Sequence, residues 1–457
     1  MSTVDRTRPP APGPHRPFHF PPVRRHTLPN GLRVLAAEVR TFPLVSAELV
    51  LTAGALHEPA EKRGLASLVS SLLESGAGER NADDIAEAVD GLGLSFATST
   101  SWDTVQVGIA GLRSRLEPGV ELLAELALRP TFPAAEVDRL RDERLGSIRH
   151  GRADPASLAG EVLYLYVYAP GVPYALPIGG TLESVPALAR EDVEAFHGAR
   201  YRAGGATLCV AGDVSLEEAV ELAERAFGDW SGAPVPATPR EVKPRLERTS
   251  VVIVDRPGAV QSEIRIGHVG VERMHPRYYP LVVLNAVLGG TFSSRLNLNL
   301  RERLGYTYGA SSTWMLRRQP GIFYMSAPVQ TEATAHSVSE MLREVREIRE
   351  APVTPAELED ARSYMADAFP LTLQTTDGVA SRLTTIASFG LPDDYYDDYS
   401  ERVLAVTAED VLETARELLR PDEAVIVVVG DAATVRGELE ALGEGPVEVV
   451  SAEEILG

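Results

Sequence analysis

Short runs of β-branched and apolar residues, bounded by glycine and aspartate, alternate along this chain with longer stretches in which apolar residues recur every three or four positions. The runs GLRVLAAEV, SAELVLTAG and TLCVAGD, and later SVVIVD and AVIVVVGD, predict strands. AEVDRLRDERLGSIRHG and HSVSEMLREVREIREA predict helices, because their apolar positions fall on one face. Threonine followed by proline or an acidic residue marks helix starts, as in TPAELED and TAEDVLE. The class these elements predict is α+β, with helices packed on mixed, mostly antiparallel sheets.

The pattern occurs twice. PTFPAAEVDRLR (Pro130–Arg141) resembles APVTPAELEDAR (Ala351–Arg362), with Glu136 and Glu357 lying 221 residues apart. Glu191-Asp192-Val193 matches Glu409-Asp410-Val411, and Gly212-Asp213 matches Gly430-Asp431, both at a spacing of 218. Matches at nearly one offset predict two homologous domains, since the period is far too long for a solenoid. The expected boundaries are 1–22 for a proline-rich arm, disordered or draped, 23–230 for the first domain, 231–250 for a linker rich in proline and charge, and 251–457 for the second domain.

Composition narrows the function classes. With 457 residues, 44% of them hydrophobic, the chain is long enough for more than one core. Its 65 acidic and 44 basic residues give a net charge of −21, which opposes a polyanion, so nucleic acid is not an expected partner. The single cysteine, Cys209, sits in an apolar strand run and cannot form an internal disulfide. No window reads as a membrane span and the arm lacks a secretory apolar stretch, so the expectation is a soluble, cytoplasmic protein with no membrane partner.

Chemistry-bearing motifs are sparse. There is no Gly-x-Ser-x-Gly elbow, and the only lysines, Lys62 and Lys243, supply no Ser-x-x-Lys pair. The nine histidines are scattered, and Gly91-Leu92-Gly93 lacks the third glycine of a dinucleotide loop. DDYYDDY (Asp393–Tyr399) lacks the glycine and the final glutamate of a calcium loop and reads as a solvated helix start.

Four stretches together resemble the insulinase, or pitrilysin-like, M16 metallopeptidase family, over about Pro29 to Asp431. They are LTAGALHEPAEKRGLASLVSSLLESGAGERNADDIAEAVDGLGLSF, PIGGTLESVPALAREDVEAFHGARY, VLGGTFSSRLNLNLRERLGYTYGASS and VTAEDVLETARELLRPDEAVIVVVGD. Size and two-domain form suggest the short-chain bacterial branch, related to mitochondrial processing peptidase and the core subunits of respiratory complex III. Active members carry His-x-x-Glu-His after Gly-Leu-Ala and a further glutamate about 75 residues on. Histidines four apart grip one Zn²⁺ from a single helix face, and the glutamate between them activates the bound water.

Placed on that pattern, Gly64-Leu65-Ala66 is followed by Ser67 and Ser71 where the histidines would stand, and by Ser70 in place of the glutamate. The distal ligand falls at Ser147, with Glu143 one turn earlier as the alternative. Neutral hydroxyls are poor Zn²⁺ ligands, so no metal is expected in this chain and no residue of it is expected to be catalytic. The resemblance also implies a substrate-positioning pair, Arg301 and Tyr308, in RERLGYTY, with Tyr306 the competing tyrosine. By this resemblance the chain is expected to be a non-catalytic subunit, whose partner is a paralogue with intact His-x-x-Glu-His carrying Zn²⁺, and whose substrate is a peptide. The competing expectation is a catalytically inert homodimer of the same fold that holds peptides or serves as a scaffold.

Overall fold

The computed structural model describes residue 13, residues 18–233 and residues 241–456. The arm and the centre of the expected linker therefore lie mostly outside the described residues. The part of the arm that is described is not loose: Phe20 is buried against Tyr396, and the Phe18 ring meets Phe369 edge-on at 5.8 Å.

The first half builds a six-stranded sheet from β1 (Val23–Thr27), β2 (Arg33–Glu38), β3 (Leu44–Leu51), β6 (Ser95–Thr100), β7 (Val105–Leu112) and β8 (Ala206–Gly212), in the order β1-β2-β8-β3-β7-β6. A two-stranded ribbon, β4 (Gly76–Ala77) and β5 (Arg80–Asn81), stands apart. Only β2 and β8 run parallel in the large sheet. The second half repeats the plan with β9 (Ser250–Asp255), β10 (Gln261–Val269), β11 (Ser311–Met315), β12 (Ile322–Gln330), β13 (Val425–Gly430) and β14 (Val447–Val450). Read from β14, its order is β14-β9-β13-β10-β12-β11, position for position that of the first sheet. The edges differ, because β14 joins β9 in parallel whereas β1 joins β2 antiparallel.

The helices of the first half are α1 (Leu65–Leu72), α2 (Ala82–Leu92), α3 (Leu116–Leu128), α4 (Ala134–Ala153), α5 (Pro155–Val167), α6 (Arg190–Arg200) and α7 (Leu216–Phe227). Those of the second are α8 (Tyr278–Asn285), α9 (Arg295–Asn297), α10 (Thr334–Glu350), α11 (Pro355–Leu371), α12 (Thr376–Phe389), α13 (Tyr399–Leu404), α14 (Ala408–Leu418), α15 (Ala432–Ala441) and α16 (Ala452–Leu456). Several begin where the sequence places a cap: Thr354 and Thr407 each accept from the backbone N–H three residues on, and the acidic residue there reaches back.

Both faces of each sheet are covered, which is why the strand runs are continuously apolar. Alternation divides the faces. Val34, Ala36, Leu208 and Val210 point into a core shared with first-half residues such as Leu65, Leu68, Leu123 and Val193. Leu35, Ala37, Cys209 and Ala211 point the other way and join Val379, Leu383 and Ile386 of α12, a second-half helix lying across β3 and β8. The reverse also holds: α5 of the first half lies across β10 and β13, placing Leu158, Val162 and Leu163 on Val252, Val254, Val425 and Val427. The halves thus exchange the equivalent helix.

Two expectations need correction. The run Tyr278–Arg303, with mean hydropathy 1.2, is apolar and long enough to cross a membrane by composition alone. It is 56% buried, breaks at Thr291–Ser294 and packs in the second-half core. DDYYDDY is solvated only at its carboxylates. Tyr396 and Tyr399 are buried and stack on Phe369, because alternate positions at this helix start face the core.

Candidate functional site

The serine helix α1 starts under tight constraint. Gly64 has φ +94°, and a Cβ there would come within 2.8 Å of the Gly179 carbonyl oxygen. Glycine is therefore required by conformation and by the close approach of the Gly179-Gly180 loop. No hydroxyl caps the helix. The buried Glu58 does so instead, accepting from Gly64 N–H at 3.2 Å and Ala66 N–H at 2.7 Å. Burial, opposed by those two bonds and by Arg63, raises the Glu58 carboxyl from 4.5 to about 7.

The serines engage the protein itself. Ser71 Oγ donates to the Ser67 carbonyl one turn back at 3.0 Å, and Ser70 Oγ is buried with no hydrogen-bond partner. Ser67 Oγ accepts from Arg144 Nη2 at 2.9 Å. Arg144 projects from α4, which packs across α1. Neither candidate for the distal position bonds to the serine helix: Ser147 Oγ donates to the Glu143 carbonyl at 3.1 Å, and the Glu143 carboxylate pairs with Arg139 at 3.1 Å. Both are exposed.

A divalent cation does not fit this arrangement. Its donors would be three hydroxyls, two of them already bonded or buried, and the neighbouring guanidinium would repel it. Among the described residues no group of three or more His, Cys, Asp or Glu side chains could hold a metal ion.

The second-half pair lies on a distorted helix. The chain passes from α9 into a π-helical turn, Leu298–Arg303, that carries Arg301, and then through Gly305 at φ +67° to Tyr308. Such turns widen a helix locally and aim side chains that a regular helix would bury. The Arg301 guanidinium sits 4.6 Å over the Phe292 ring, with Nε 3.3 Å from Glu302. Tyr308 is 91% exposed and, among the described residues, makes no hydrogen bond or ring contact. Tyr306 is engaged: its hydroxyl meets His336 Nδ1 at 3.0 Å.

Residues that sequence reading missed hold this loop. The Asn297 amide donates to the Phe292 carbonyl at 2.7 Å and its oxygen accepts from Ala310 N–H at 3.3 Å, tying together the segments on either side of the pair. Asn299 donates to Glu340 and Glu344 at 2.8 Å each, and Arg303 and Arg343 close on Glu340 at 2.6 and 2.7 Å. Bonds from Arg343 and Asn299, with the charge of Arg303, hold the Glu340 carboxyl down at about 2. A signal existed in the polar run NLNLRER opposite an acidic helix, but the partners are some 40 residues away in sequence.

Two sequence profiles cover most of the chain. Residues 33–166 match insulinase (peptidase family M16), and residues 187–365 match the peptidase M16 inactive domain. This chain belongs to the M16 family. An uncharacterized zinc protease of Mycobacterium leprae is 28% identical over 365 residues, 79% of this chain and 81% of that one. The Streptomyces coelicolor counterpart, also an uncharacterized zinc protease, is 25% identical over 91% of each chain. Among solved structures, a peptidase M16 inactive domain from Pseudomonas fluorescens aligns with a TM-score of 0.85 at 25% identity, over 90% of this chain and 98% of that one. A Helicobacter pylori protease shares the M16 fold at a TM-score of 0.82 and 21% identity, over 90% and 99%.

Proposed function

We propose that this M16 chain is the non-catalytic subunit of a heterodimeric zinc peptidase, in which it positions a peptide with Arg301 and Tyr308 for a paralogue that carries the metal on intact His-x-x-Glu-His. One observation carries the reading: Arg144 occupies the serine helix where a metal would sit in active relatives, while Tyr308 stands free of any protein partner. The first half has been refitted against metal; the second retains donors with nothing of its own to bind. Arginine offers a planar fork of N–H donors and tyrosine a hydroxyl that reaches a carbonyl or developing oxyanion, the chemistry that orients a peptide bond for attack. The reading places the protein in the cytoplasm, consistent with a single cysteine that is buried and free.

The test is to measure zinc content and peptide hydrolysis of the purified chain alone and mixed with an intact-motif homologue from the same genome. Activity with about one zinc per pair, only in the mixture, supports the split site. A metal-free homodimer that stays inert beside the homologue would replace it with a peptide-holding scaffold.

A further inference from the structure

The Arg144 guanidinium is a cation without a counter-ion. Of its five N–H donors, the one hydrogen bond formed is to Ser67 Oγ, and Nη1 lies against the bare Cα of Gly179, where a Cβ would come within 3.0 Å. Its neighbour Glu143 points its carboxylate at Arg139, and Arg144 forms no ion pair among the described residues. Burial pulls the guanidinium below its ordinary value, with Glu143 only partly opposing it. Removing a cation from water without pairing it is costly.

Packing of the repeat does not demand this charge. The matching position 221 residues on, in the equivalent helix α11, is Met365, which packs against the second-half core as an apolar side chain. Arg144 is thus a local departure from the plan of the repeat, made at the serine face and left half-paired.

We propose that Arg144 and Ser67 form a carboxylate-binding site that anchors an acidic group of a peptide, either its C-terminal carboxylate or an Asp or Glu side chain. The planar fork matches a carboxylate through two parallel bonds, and Ser67 holds the far edge of the guanidinium in orientation. The site depends on the subunit role only in taking a peptide as the ligand. The serine face then fixes one end of the chain, and Arg301 and Tyr308 act on backbone elsewhere.

Isothermal titration of the intact chain, without partner, tests this with three acetylated Ala/Gly hexapeptides: the free acid, its C-terminal amide, and an amide with one internal glutamate. The free acid should bind at least about tenfold more tightly than the plain amide. Arg144→Met, the second half's own residue, should erase that preference with the fold intact by circular dichroism, and Arg144→Lys should restore part of it. Tight binding by the glutamate-containing amide assigns the site to side-chain carboxylates, and its failure assigns it to the C-terminus. Equal binding of free acid and plain amide with no gain from the glutamate, no binding of any of the three, or a preference that survives Arg144→Met would overturn the proposal. An inert mixture with the paralogue alongside an intact acid preference would sink the subunit reading and leave this site standing.

Discussion

Glu48 lies opposite Gly108 across the β3–β7 pair, and its carboxyl fills the space that a Cβ at Gly108 would need. The side chain faces the layer closed by α12, near Asp377 and the cross-strand Cys209. Burial first, and Asp377 second, raise it from 4.5 to about 7. Between those values the folded chain holds a proton that the unfolded chain has released, so stability falls as pH rises through this window and levels off above it.

Glu48→Gln removes that dependence for one group. The variant should match the parent near about pH 4.5 and exceed it above about pH 7.5, by on the order of 2 kcal/mol. Urea titrations at the two pH values check this. Glu58 titrates over the same range, so the difference between parent and variant, rather than either curve alone, carries the result.

Ser70 predicts a gain from deletion. Its hydroxyl is buried and unpartnered, so Ser70→Ala should leave the fold unchanged and raise stability by ~1 kcal/mol, read as an upward shift in Tm. A loss of stability would mean that the hydroxyl has a partner in solution.

Restoring the four ligand positions should not restore metal by itself. The variant Ser67→His, Ser70→Glu, Ser71→His, Ser147→Glu keeps a guanidinium beside the first histidine, and should bind zinc substoichiometrically. Adding Arg144→Met should raise the content toward about one per chain by elemental analysis. Equal content in the two variants would show that Arg144 does not oppose the ion.

In the mixed complex, Arg301→Ala should lower turnover by about a hundredfold and Tyr308→Phe by about tenfold, with assembly unchanged by size-exclusion chromatography. Tyr306→Phe, which loses only the bond to His336, should have a much smaller effect. Reversal of the tyrosine order would reassign the positioning role to Tyr306.

Much of the fold was written in local pattern. The offset of about 220 residues announced two equivalent units, and uninterrupted runs such as AVIVVVGD announced strands buried on both faces. What covers those faces was not readable: α5 and α12 carry apolar surface like any core helix, and nothing local says that each crosses to the other half. The serines were placed by their spacing after Gly64-Leu65-Ala66, because that tripeptide is pinned by φ, by Gly179 and by Glu58. Arg144 was missed since its meaning depends on where α4 aims it, 77 residues from the hydroxyl it meets. The Asn299–Glu340–Arg343 network was missed for the same reason.

The crossing helices also limit how the molecule can move. Swinging one half away from the other about the segment between them would strip α12 from β3 and β8, and α5 from β10 and β13. Six aliphatic side chains, Leu158, Val162, Leu163, Val379, Leu383 and Ile386, would meet water, at a cost on the order of 10 kcal/mol. A chain stitched in this way does not hinge internally. If a chamber opens to admit a peptide, the parting line runs between chains, so the rate of opening is set by whichever partner this one meets.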